Sequence, residues 1–344
     1  MDFFAHQDRA RRHTGWLVFL FLLAVAGIVA AVYVVVLFAL GGLAGSSGPP
    51  PDLWDGGVLL LTAVGVLSVV GLGSAYKTAQ LRAGGPAVAA LVGARPVLPG
   101  TADAAERRLL NVVEEMAIAS GVPVPPVFVM DREEGINAFA AGHSTADAAI
   151  TVTRGTLEQL SRDELQGVVA HEFSHILNGD MRLNLRLMGT IHGILVIGMI
   201  GWLILRHVRG GKKNPLPLIG LALFFVGYAG TFLGNLIKAA VSRQREFLAD
   251  AAAVQFTRNP GGLAGALGKI AETAEGSRLH AAHAPEVSHM LFGAGTRSAL
   301  GGLLATHPPL AERIRRLGAV VEPAPRAPRG APPAAPARAA APRA

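Results

Sequence analysis

The chain alternates between long apolar runs and segments with a mixed polar pattern. Residues 16–40 contain 25 consecutive positions without a charged side chain, and residues 58–75 add 18 more. A helix needs about 20 mostly apolar residues to cross the hydrocarbon core of a bilayer. The first run is longer than the apolar core of a signal peptide, which has about 7–15 residues. We therefore expect both runs to stay in the protein and to form a membrane hairpin within residues 1–94.

Two further apolar runs, residues 187–205 and 216–237, predict a second hairpin. The loop between them is basic and contains Arg206, Arg209, Lys212 and Lys213. If both runs cross the membrane, these cations lie outside, against the tendency of Lys and Arg to remain in the cytoplasm. The sequence therefore leaves two arrangements open: a hairpin that crosses the bilayer fully, or one that enters it without crossing.

Basic residues around the first hairpin indicate its orientation. The loop between its two runs contains two aspartates and no Lys or Arg. The cations lie at the two ends of the hairpin and are Arg9, Arg11, Arg12, Lys77 and Arg82. Because positive charge favours the cytoplasmic side, both ends and the domain that follows are expected there. The sequence thus predicts a multi-pass protein of the plasma (inner) membrane, with its polar domain in the cytoplasm.

Composition narrows the chemistry. The chain has no cysteine, so disulfides, thiolate ligands and cysteine nucleophiles are excluded, and a metal site must use His, Asp or Glu. Its 31 Lys and Arg exceed its 24 Asp and Glu, but many of these cations lie beside apolar runs, as expected near anionic lipid. Aromatic residues make up only 6%, so no nucleic-acid partner is indicated. Residues 321–344 are almost wholly Pro, Ala and Arg, which predicts a disordered tail.

The polar segments predict one α+β domain within residues 95–320, interrupted by the second hairpin at about residues 187–237. Helical spacing predicts a helix that is capped by Thr101 and ends near Ser120. Three short β-type runs follow, at residues 127–129, 138–140 and 150–152.

A sequence motif for metal binding lies on the next predicted helix. Ser161 and Glu164 have the spacing of a capping box, so this helix begins there, and Gly179 is its expected stop. It carries His171-Glu172-Phe173-Ser174-His175, an H-E-x-x-H motif. Residues four apart share a helix face, so the two imidazoles can bind one metal ion while Glu172 faces the water that the metal activates. The apolar residues on both sides of the motif argue against an ordinary exposed polar face.

A catalytic zinc needs a third protein ligand and one open position. Residues 242–269 predict a helix interrupted at residues 259–262, and Glu246 and Asp250 lie four apart on it. That spacing alone is a weak signal, because two acids on a helix usually form a solvated face. However, a second hairpin of either depth returns this helix to the side of the H-E-x-x-H helix. We therefore predict Glu246 as the third ligand and Asp250 as the acceptor that orients a ligand histidine.

These residues resemble those of the HtpX-type membrane-bound zinc metalloproteases, in the same broad group as the CAAX-prenyl endoproteases. The resemblance runs from about residue 101 to residue 317. It rests on several motifs in the expected order: Asn137-Ala138-Phe139-Ala140, Glu164, His171 to His175, Asn178-Gly179-Asp180, Ser242 to Asp250, Thr306-His307-Pro308-Pro309 and Arg313-Ile314. The basic tail lies outside the family pattern.

The resemblance implies a mainly α membrane protein with about four apolar helices and one cytoplasmic α+β, zincin-like protease domain with a short edge-stranded sheet. It implies one Zn²⁺ per chain, held by His171, His175 and Glu246, with Glu172 as the general base. It also implies an edge strand against which an extended substrate lies, formed by Asn137, Ala138, Phe139 and Ala140.

The expected function is the cleavage of misfolded or surplus membrane proteins, or other unfolded polypeptides, on the cytoplasmic side of the bilayer. The reaction also needs a donor for the developing oxyanion, and the sequence leaves His307 and Arg243 as candidates. His307 has an alternative reading, because a His-Pro-Pro segment also suits a rigid loop start. His280, His283 and His289 are interpreted as loop histidines and not as a second metal site.

Three alternative functions remain. A processing protease for one substrate class, such as prenylated peptides, would use the same zinc chemistry. A non-catalytic scaffold with a structural zinc is disfavoured, because a closed structural site usually has four protein ligands. A transporter is disfavoured because the apolar runs lack buried ionisable groups apart from His192. The oligomeric state cannot be derived from the sequence.

Overall fold

The structure is a computed structural model that describes residues 3–44, 53–208, 214, 216–273, 276–294 and 305–318. Its helices are α1 (Phe3–Ala44), α2 (Gly56–Gln80), α3 (Gly85–Leu91), α4 (Ala104–Ser120), α5 (Arg154–Gln159), α6 (Arg162–Asn178), α7 (Asp180–His207), α8 (Leu216–Thr257), α9 (Pro260–Glu272), α10 (Ala284–Val287) and α11 (Leu310–Leu317). Its strands are β1 (Arg95–Pro96), β2 (Val127–Met130), β3 (Ala138–Ala141) and β4 (Ala149–Thr153). The predicted tail at residues 321–344 and most of the basic loop after α7 lie outside the described residues.

Within the described part of the chain, four helices are long and apolar enough to cross a membrane: Phe19–Leu40 of α1, and α2, α7 and α8. Their outer surfaces carry exposed apolar side chains, such as Leu61, Leu72 and Phe225, which suit contact with lipid. These helices, together with one small sheet, confirm the predicted class: a mainly α membrane protein with about four apolar helices.

Helices α7 and α8 pack closely enough to require glycine. A Cβ atom on Gly227 would lie 2.1 Å from the backbone nitrogen of Gly198, which is far inside van der Waals contact. Small residues of this kind let membrane helices approach backbone to backbone. Helix α8 then continues without a break past its apolar run to Thr257, so one helix carries both membrane-facing residues and the predicted site residues Glu246 and Asp250.

The sheet has the strand order β1-β2-β4-β3. Strands β2 and β4 run parallel, and β3 pairs antiparallel with β4 at one edge of the sheet. All three predicted β-type runs are therefore confirmed, each extended by one or two residues. The inner residues of the sheet pack on α4 and α6 in one core, which includes Val129, Ile150 and Val169.

The predicted cap of α4 is wrong by two residues. Asp103, not Thr101, caps this helix, because its carboxylate accepts from the backbone nitrogens of Ala105 and Glu106. The Thr101 hydroxyl instead accepts from the Asp103 nitrogen and donates to the Glu106 carboxylate. Both residues belong to the capping region, so the predicted helix and its end at Ser120 remain correct.

Helix α6 follows its sequence signals at both ends. The Ser161 hydroxyl accepts from the Glu164 nitrogen, and the Glu164 carboxylate accepts from the Ser161 nitrogen, so the predicted capping box is confirmed. Gly179 ends the helix with φ 69°, in the left-handed region that favours glycine. Between these ends, Gly167 lets the α9 backbone approach, since a Cβ there would lie 2.7 Å from the Leu263 nitrogen. Local caps and this close contact fix the helix that carries the H-E-x-x-H motif.

An ion pair connects the first membrane hairpin to the segment beside the site. The ammonium of Lys77, near the end of α2, contacts the Glu286 carboxylate in α10. The Lys77 side chain is only 5% exposed, while the Glu286 side chain is 35% exposed, so the cation is shielded and the acid remains partly in contact with solvent. Removing Glu286 would leave the buried ammonium of Lys77 without a compensating charge. The pair therefore holds α10 against the membrane hairpin.

Candidate metal centre

Three predicted ligands converge between α6 and α8. One nitrogen of His171, one nitrogen of His175 and a carboxylate oxygen of Glu246 all lie within 4.8 Å of one another. The two Nε2 atoms are 3.1 Å apart, and the Glu246 oxygens lie 3.8 Å from His171 Nε2 and 3.6 Å from His175 Nε2. The three side chains are thus directed at a common point, as a tetrahedral metal with one open position requires.

Two aspartates face the other nitrogen of each imidazole. His171 Nδ1 lies 2.9 Å from Asp250 Oδ1, and His175 Nδ1 lies 2.8 Å from Asp180 Oδ2. A carboxylate at Nδ1 favours a proton on that nitrogen and leaves the Nε2 lone pair free for a metal. Asp250 thus lies where the sequence interpretation put it. Asp180 is an additional acid to which that interpretation gave no role.

Two arginines neutralise these acids. Arg313, fully buried on α11, donates from Nε to Asp250 Oδ2 at 2.9 Å and from Nη2 to Oδ1 at 2.7 Å. Its Nη1 atom lies 3.2 Å from Glu246 Oε2 and also donates to the Phe292 carbonyl. Arg245 donates to Asp180 through Nη1 alone. Paired charges of this kind keep several acids ionised in a space that solvent barely reaches.

Burial sets the protonation of the motif residues. Desolvation lowers the pKa of His171 to about 4, so its ring is neutral at physiological pH and can act as a ligand. Burial also lowers the pKa of His175, but hydrogen bonding to Glu246 and its charge outweigh that effect, so the pKa is raised overall. Burial raises the pKa of Glu172 to about 7. A carboxyl group with that pKa can accept and release a proton near neutrality.

Glu172 lies beside the three ligands and is fully buried, yet neither of its carboxylate oxygens has a hydrogen-bond partner among the described residues. An unpartnered buried carboxylate is costly, so a structural role does not account for it. Its place next to the ligands supplies a functional reason, because water and a peptide group bound there would meet both oxygens.

The two candidate oxyanion donors lie in different surroundings. His307 is buried, and its Nδ1 atom lies 2.9 Å from Glu246 Oε2, so it borders the ligand cluster. Arg243 donates from Nη1 to the Ala305 carbonyl at 2.7 Å, which ties α8 to the chain that leads into the His307 loop. The geometry favours His307 as the group nearer to the reacting atoms.

Strand β3 lies at the edge of the sheet, where the substrate strand is expected, but the chain itself covers part of that edge. The Phe292 nitrogen donates to the Ala138 carbonyl, and Phe139 forms an isolated antiparallel bridge with Leu291. Asn137 precedes the strand, and its side-chain amide donates to the Ser277 carbonyl at 2.6 Å. Ala140, nearer the other end of the strand, lines the same cleft as His175 and Glu246. The substrate role of residues 137–140 stays a prediction.

The profile of peptidase family M48 matches residues 103–321, more than half of the chain. The chain belongs to this family. A protein described as Protease HtpX homolog, from Dictyoglomus turgidum (strain DSM 6724 / Z-1310), is 39% identical over 212 residues, which cover 61% of this chain and 68% of the relative. Another of the same description, from Streptococcus pyogenes serotype M28 (strain MGAS6180), is 33% identical over 296 residues, or 83% of this chain and 94% of the relative.

The crystal structure of S. mikatae Ste24p is also similar, with 20% identity and a TM-score of 0.42, over 88% of this chain and 66% of that chain. The family and the two relatives confirm that the chain is a metalloendopeptidase of the HtpX type. With four apolar helices, it is a multi-pass membrane protein that acts on polypeptides.

Sequence reasoning missed three residues around the site. Asp180 and Arg313 both lie in motifs that carry the family resemblance, so the sequence marked them as family residues. Neither motif indicated which of the predicted ligands each residue contacts. His289 was interpreted as a loop histidine, whereas it is 2% exposed and borders the ligand cluster. Only the folded chain brings residues 289 and 313 next to Glu246, so no local pattern could have assigned them.

Proposed function

We propose that the protein is a zinc-dependent endopeptidase that cleaves misfolded or surplus membrane proteins in their cytoplasmic segments. The observation that carries the proposal is the convergence of His171, His175 and Glu246 beside the unpartnered carboxylate of Glu172. These are three protein ligands and an adjacent base, which is the ligand count of a catalytic and not of a structural zinc site.

The residues fit zinc in their chemistry and in their orientation. Two imidazoles and one carboxylate are ligands that zinc accepts, and the aspartates at Nδ1 leave both Nε2 atoms directed at the metal position. We therefore expect one Zn²⁺ per chain. When bound, zinc supplies Lewis-acid chemistry: it polarises a carbonyl group and makes water more acidic.

Glu172 performs the proton transfers in the proposed mechanism. One of its oxygens accepts the proton of the attacking water, and the same carboxyl group then delivers that proton to the leaving amine of the peptide. Neither oxygen has a side-chain hydrogen-bond partner among the described residues, so the carboxyl group is available to the attacking water and to the leaving amine. His307, next to Glu246, would donate a hydrogen bond to the oxygen on which negative charge develops.

The position of the site relative to the apolar helices supports membrane-associated substrates. Helix α7 begins at Asp180, which contacts His175, and runs directly into its apolar stretch. Glu246 follows the end of the apolar run in α8 by nine residues, or about 14 Å at the helical rise. Both of these short connections to the apolar helices keep the predicted ligands near the bilayer surface. The basic flanks of the first hairpin support the cytoplasmic side of the plasma membrane.

The position of Ala140, which lines the cleft beside His175 and Glu246, supports recognition of extended chains. Pairing along a strand edge uses main-chain hydrogen bonds, so it selects unfolded segments with little sequence preference. Such recognition suits the removal of damaged membrane proteins better than the processing of one precursor. A narrow cleavage profile restricted to prenylated peptides would favour the alternative role as a processing protease.

The test compares one unstructured reporter sequence in three locations: a cytoplasmic loop of a membrane protein, an extracytoplasmic loop, and free solution. We expect the cytoplasmic, membrane-bound form to be cut fastest, because tethering raises the effective concentration to roughly millimolar. Preferential cutting of the extracytoplasmic form would contradict the proposed topology. Equal rates for the bound and free forms would contradict the membrane-protein substrate class.

A further inference from the structure

Three arginines lie where the membrane helices α2 and α7 meet the polar domain. Arg82 follows the end of α2 by two residues, while Arg182 and Arg186 lie in the first two turns of α7, just before its apolar run. All three residues are exposed. Arginine side chains at the ends of membrane helices reach the level of the lipid headgroups. These three residues, the arginine cluster, therefore lie at the level of the bilayer surface.

Helix packing brings the arginine cluster together. A Cβ atom on Gly189 of α7 would lie 2.9 Å from the Thr78 hydroxyl oxygen of α2, so the two helices touch within about one turn of the cluster. Leu81 and Leu185 each directly precede one of its arginines, and both leucines pack in the same buried apolar group. Because consecutive residues do not share a helix face, the arginines that follow these leucines lie outside that group and close to each other.

The loop between β3 and β4 connects the third arginine to the same place. Arg182 donates from Nε to the His143 carbonyl at 2.8 Å, and His143 Nε2 lies 3.1 Å from the Leu81 carbonyl oxygen. One residue of this loop thus contacts both the start of α7 and the end of α2. The Nη atoms of Arg182 make no hydrogen bond within the described residues, so they are available to a ligand.

Acidic side chains do not balance the arginine cluster. Within the described part of the chain, none of its guanidinium groups forms an ion pair. Two acids lie nearby, but other groups engage them. The Asp147 carboxylate accepts from the backbone nitrogens of His143 and Ser144. The Asp180 carboxylate contacts Arg245. The cluster is therefore complementary to an anion from outside the chain.

The position of two of these cations on α7 is unfavourable without an anion. Arg182 and Arg186 are four residues apart, so their like charges face each other across one helical turn. Arg182 also lies in the first turn of α7, where the helix dipole repels positive charge. A phosphate group beside them would relieve both effects, and the planar guanidinium group matches phosphate in geometry.

We propose that the arginine cluster binds the phosphate group of an anionic phospholipid from the membrane leaflet next to the polar domain. Basic groups between membrane helices are a typical site for such headgroups. The ligand is a lipid because the cluster directly adjoins the apolar helices, whose exposed side chains, such as Leu72 of α2, offer contact to the acyl chains. This inference concerns lipid binding and does not depend on the proposed protease reaction.

The test measures lipid binding by the full-length protein in an uncharged detergent. The probe is phosphatidylglycerol with a fluorescent acyl chain, and the competitors are dioctanoyl phosphatidylglycerol, dioctanoyl phosphatidylcholine and inorganic phosphate. We expect dioctanoyl phosphatidylglycerol to displace the probe at a concentration about tenfold lower than dioctanoyl phosphatidylcholine, whose choline cancels the charge of its phosphate. Inorganic phosphate has no acyl chains and should not displace the probe at the same concentrations.

Substitutions then assign that preference to the cluster. Arg82→Gln and Arg186→Gln should each weaken the binding of phosphatidylglycerol about fivefold, which is the effect of one cation near an anionic headgroup, and leave that of phosphatidylcholine unchanged. Arg186→Lys keeps the charge and should retain most of the preference. Because Arg82 and Arg186 are exposed, the fold should persist, and an unchanged midpoint of thermal unfolding verifies it.

Arg206→Gln is the matched control, because Arg206 is an exposed cation at the other end of α7, about 30 Å from Arg186. It should keep the full preference. Equal displacement by the two dioctanoyl lipids would overturn the inference, and so would equal weakening by Arg186→Gln and Arg206→Gln, which would indicate a general attraction between charges. Displacement of the probe by inorganic phosphate at the lipid concentrations would also overturn it, since the ligand would then be a soluble anion.

Discussion

The Nδ1 atom of His171 lies 2.9 Å from the Oδ1 atom of Asp250, and this contact orients the ring of one predicted metal ligand. Arg313 holds the same carboxylate through two nitrogens, so Asp250 cannot rotate away from the imidazole. The three side chains are fully or nearly fully buried. A chain of contacts from α11 through α8 to α6 therefore orients the His171 ring before any metal binds.

Asp250→Asn should weaken zinc binding while the fold persists. The amide keeps the size of the carboxylate but loses the charge that favours a proton on His171 Nδ1 and that balances Arg313. Loss of such a supporting carboxylate typically reduces metal affinity about 10- to 100-fold. Zinc affinity can be measured by competition with a chelator. Asp163→Asn, on the exposed start of α6, is the control and should bind as the unsubstituted protein does. Equal affinities in the two variants would contradict the role of Asp250.

Gly227→Leu should destabilise the second apolar hairpin. The new side chain would meet the backbone of Gly198, which lies 2.1 Å from the position of a Cβ atom, so α7 and α8 would have to separate. Overpacking of this kind costs about 1–3 kcal/mol. Gly65→Leu on α2 is the matched control, because a Cβ there meets nothing within 4 Å. The measurement is the midpoint of thermal unfolding in detergent. A midpoint for Gly227→Leu that equals the control would show that the two helices do not pack as described.

The ion pairs that Arg95 and Arg154 form with Glu106 and Asp103 should make the free energy of unfolding depend on pH. Arg154 donates to Asp103 at 2.8 Å, and that hydrogen bond lowers the pKa of the carboxyl group. The hydrogen bond from Arg95 lowers the pKa of Glu106 in the same way. A carboxyl group with a lowered pKa stabilises the folded protein above its unfolded pKa, about 4. This stability is lost as the pH falls from about 4 through the folded pKa values.

Arg154→Gln should reduce that dependence, because the folded pKa values of its partner acids return toward their ordinary range. The variant is expected to be less stable at neutral pH and to lose less additional stability on acidification. Thermal unfolding midpoints recorded from neutral to acidic pH give the pH dependence of stability for the variant and for the unsubstituted protein. Arg162→Gln removes an exposed pair with Glu115 and is the control. If Arg154→Gln and the unsubstituted protein have parallel pH curves, the network does not stabilise the fold.

The parts of the fold that local sequence determines were predictable. The capping box at Ser161 and the stop at Gly179 depend on neighbours within a few residues, so the bounds of α6 could be predicted. The predicted cap of α4 was wrong because Thr101 and Asp103 are both residue types that cap helices. Asp103 also contacts Arg154, a tertiary contact that the sequence does not reveal. Helix α3 and strand β1 were not predicted, since both are short and lack a clear period.

The same difference between local signals and tertiary contacts decides which site residues could be predicted. The predicted ligands His171 and His175 follow from helical spacing, and the prediction of Glu246 follows from the hairpin that brings α8 back to α6. Arg313 and His289 could not be assigned, because they reach the ligands from segments distant in sequence whose course is set by packing. Contacts over such separations leave no periodic signal in a single sequence.

The most direct test of the account is the zinc content and the proteolytic rate of Glu172→Gln, measured on the same purified preparation with an unfolded substrate. The account predicts that this variant keeps about one zinc per chain, because all three ligands remain, while the rate of cleavage falls about 10²- to 10⁴-fold with the loss of the base. His175→Ala, which removes a ligand, should lose most of the zinc and the activity together. Normal turnover by Glu172→Gln, or full zinc content in His175→Ala, would contradict it.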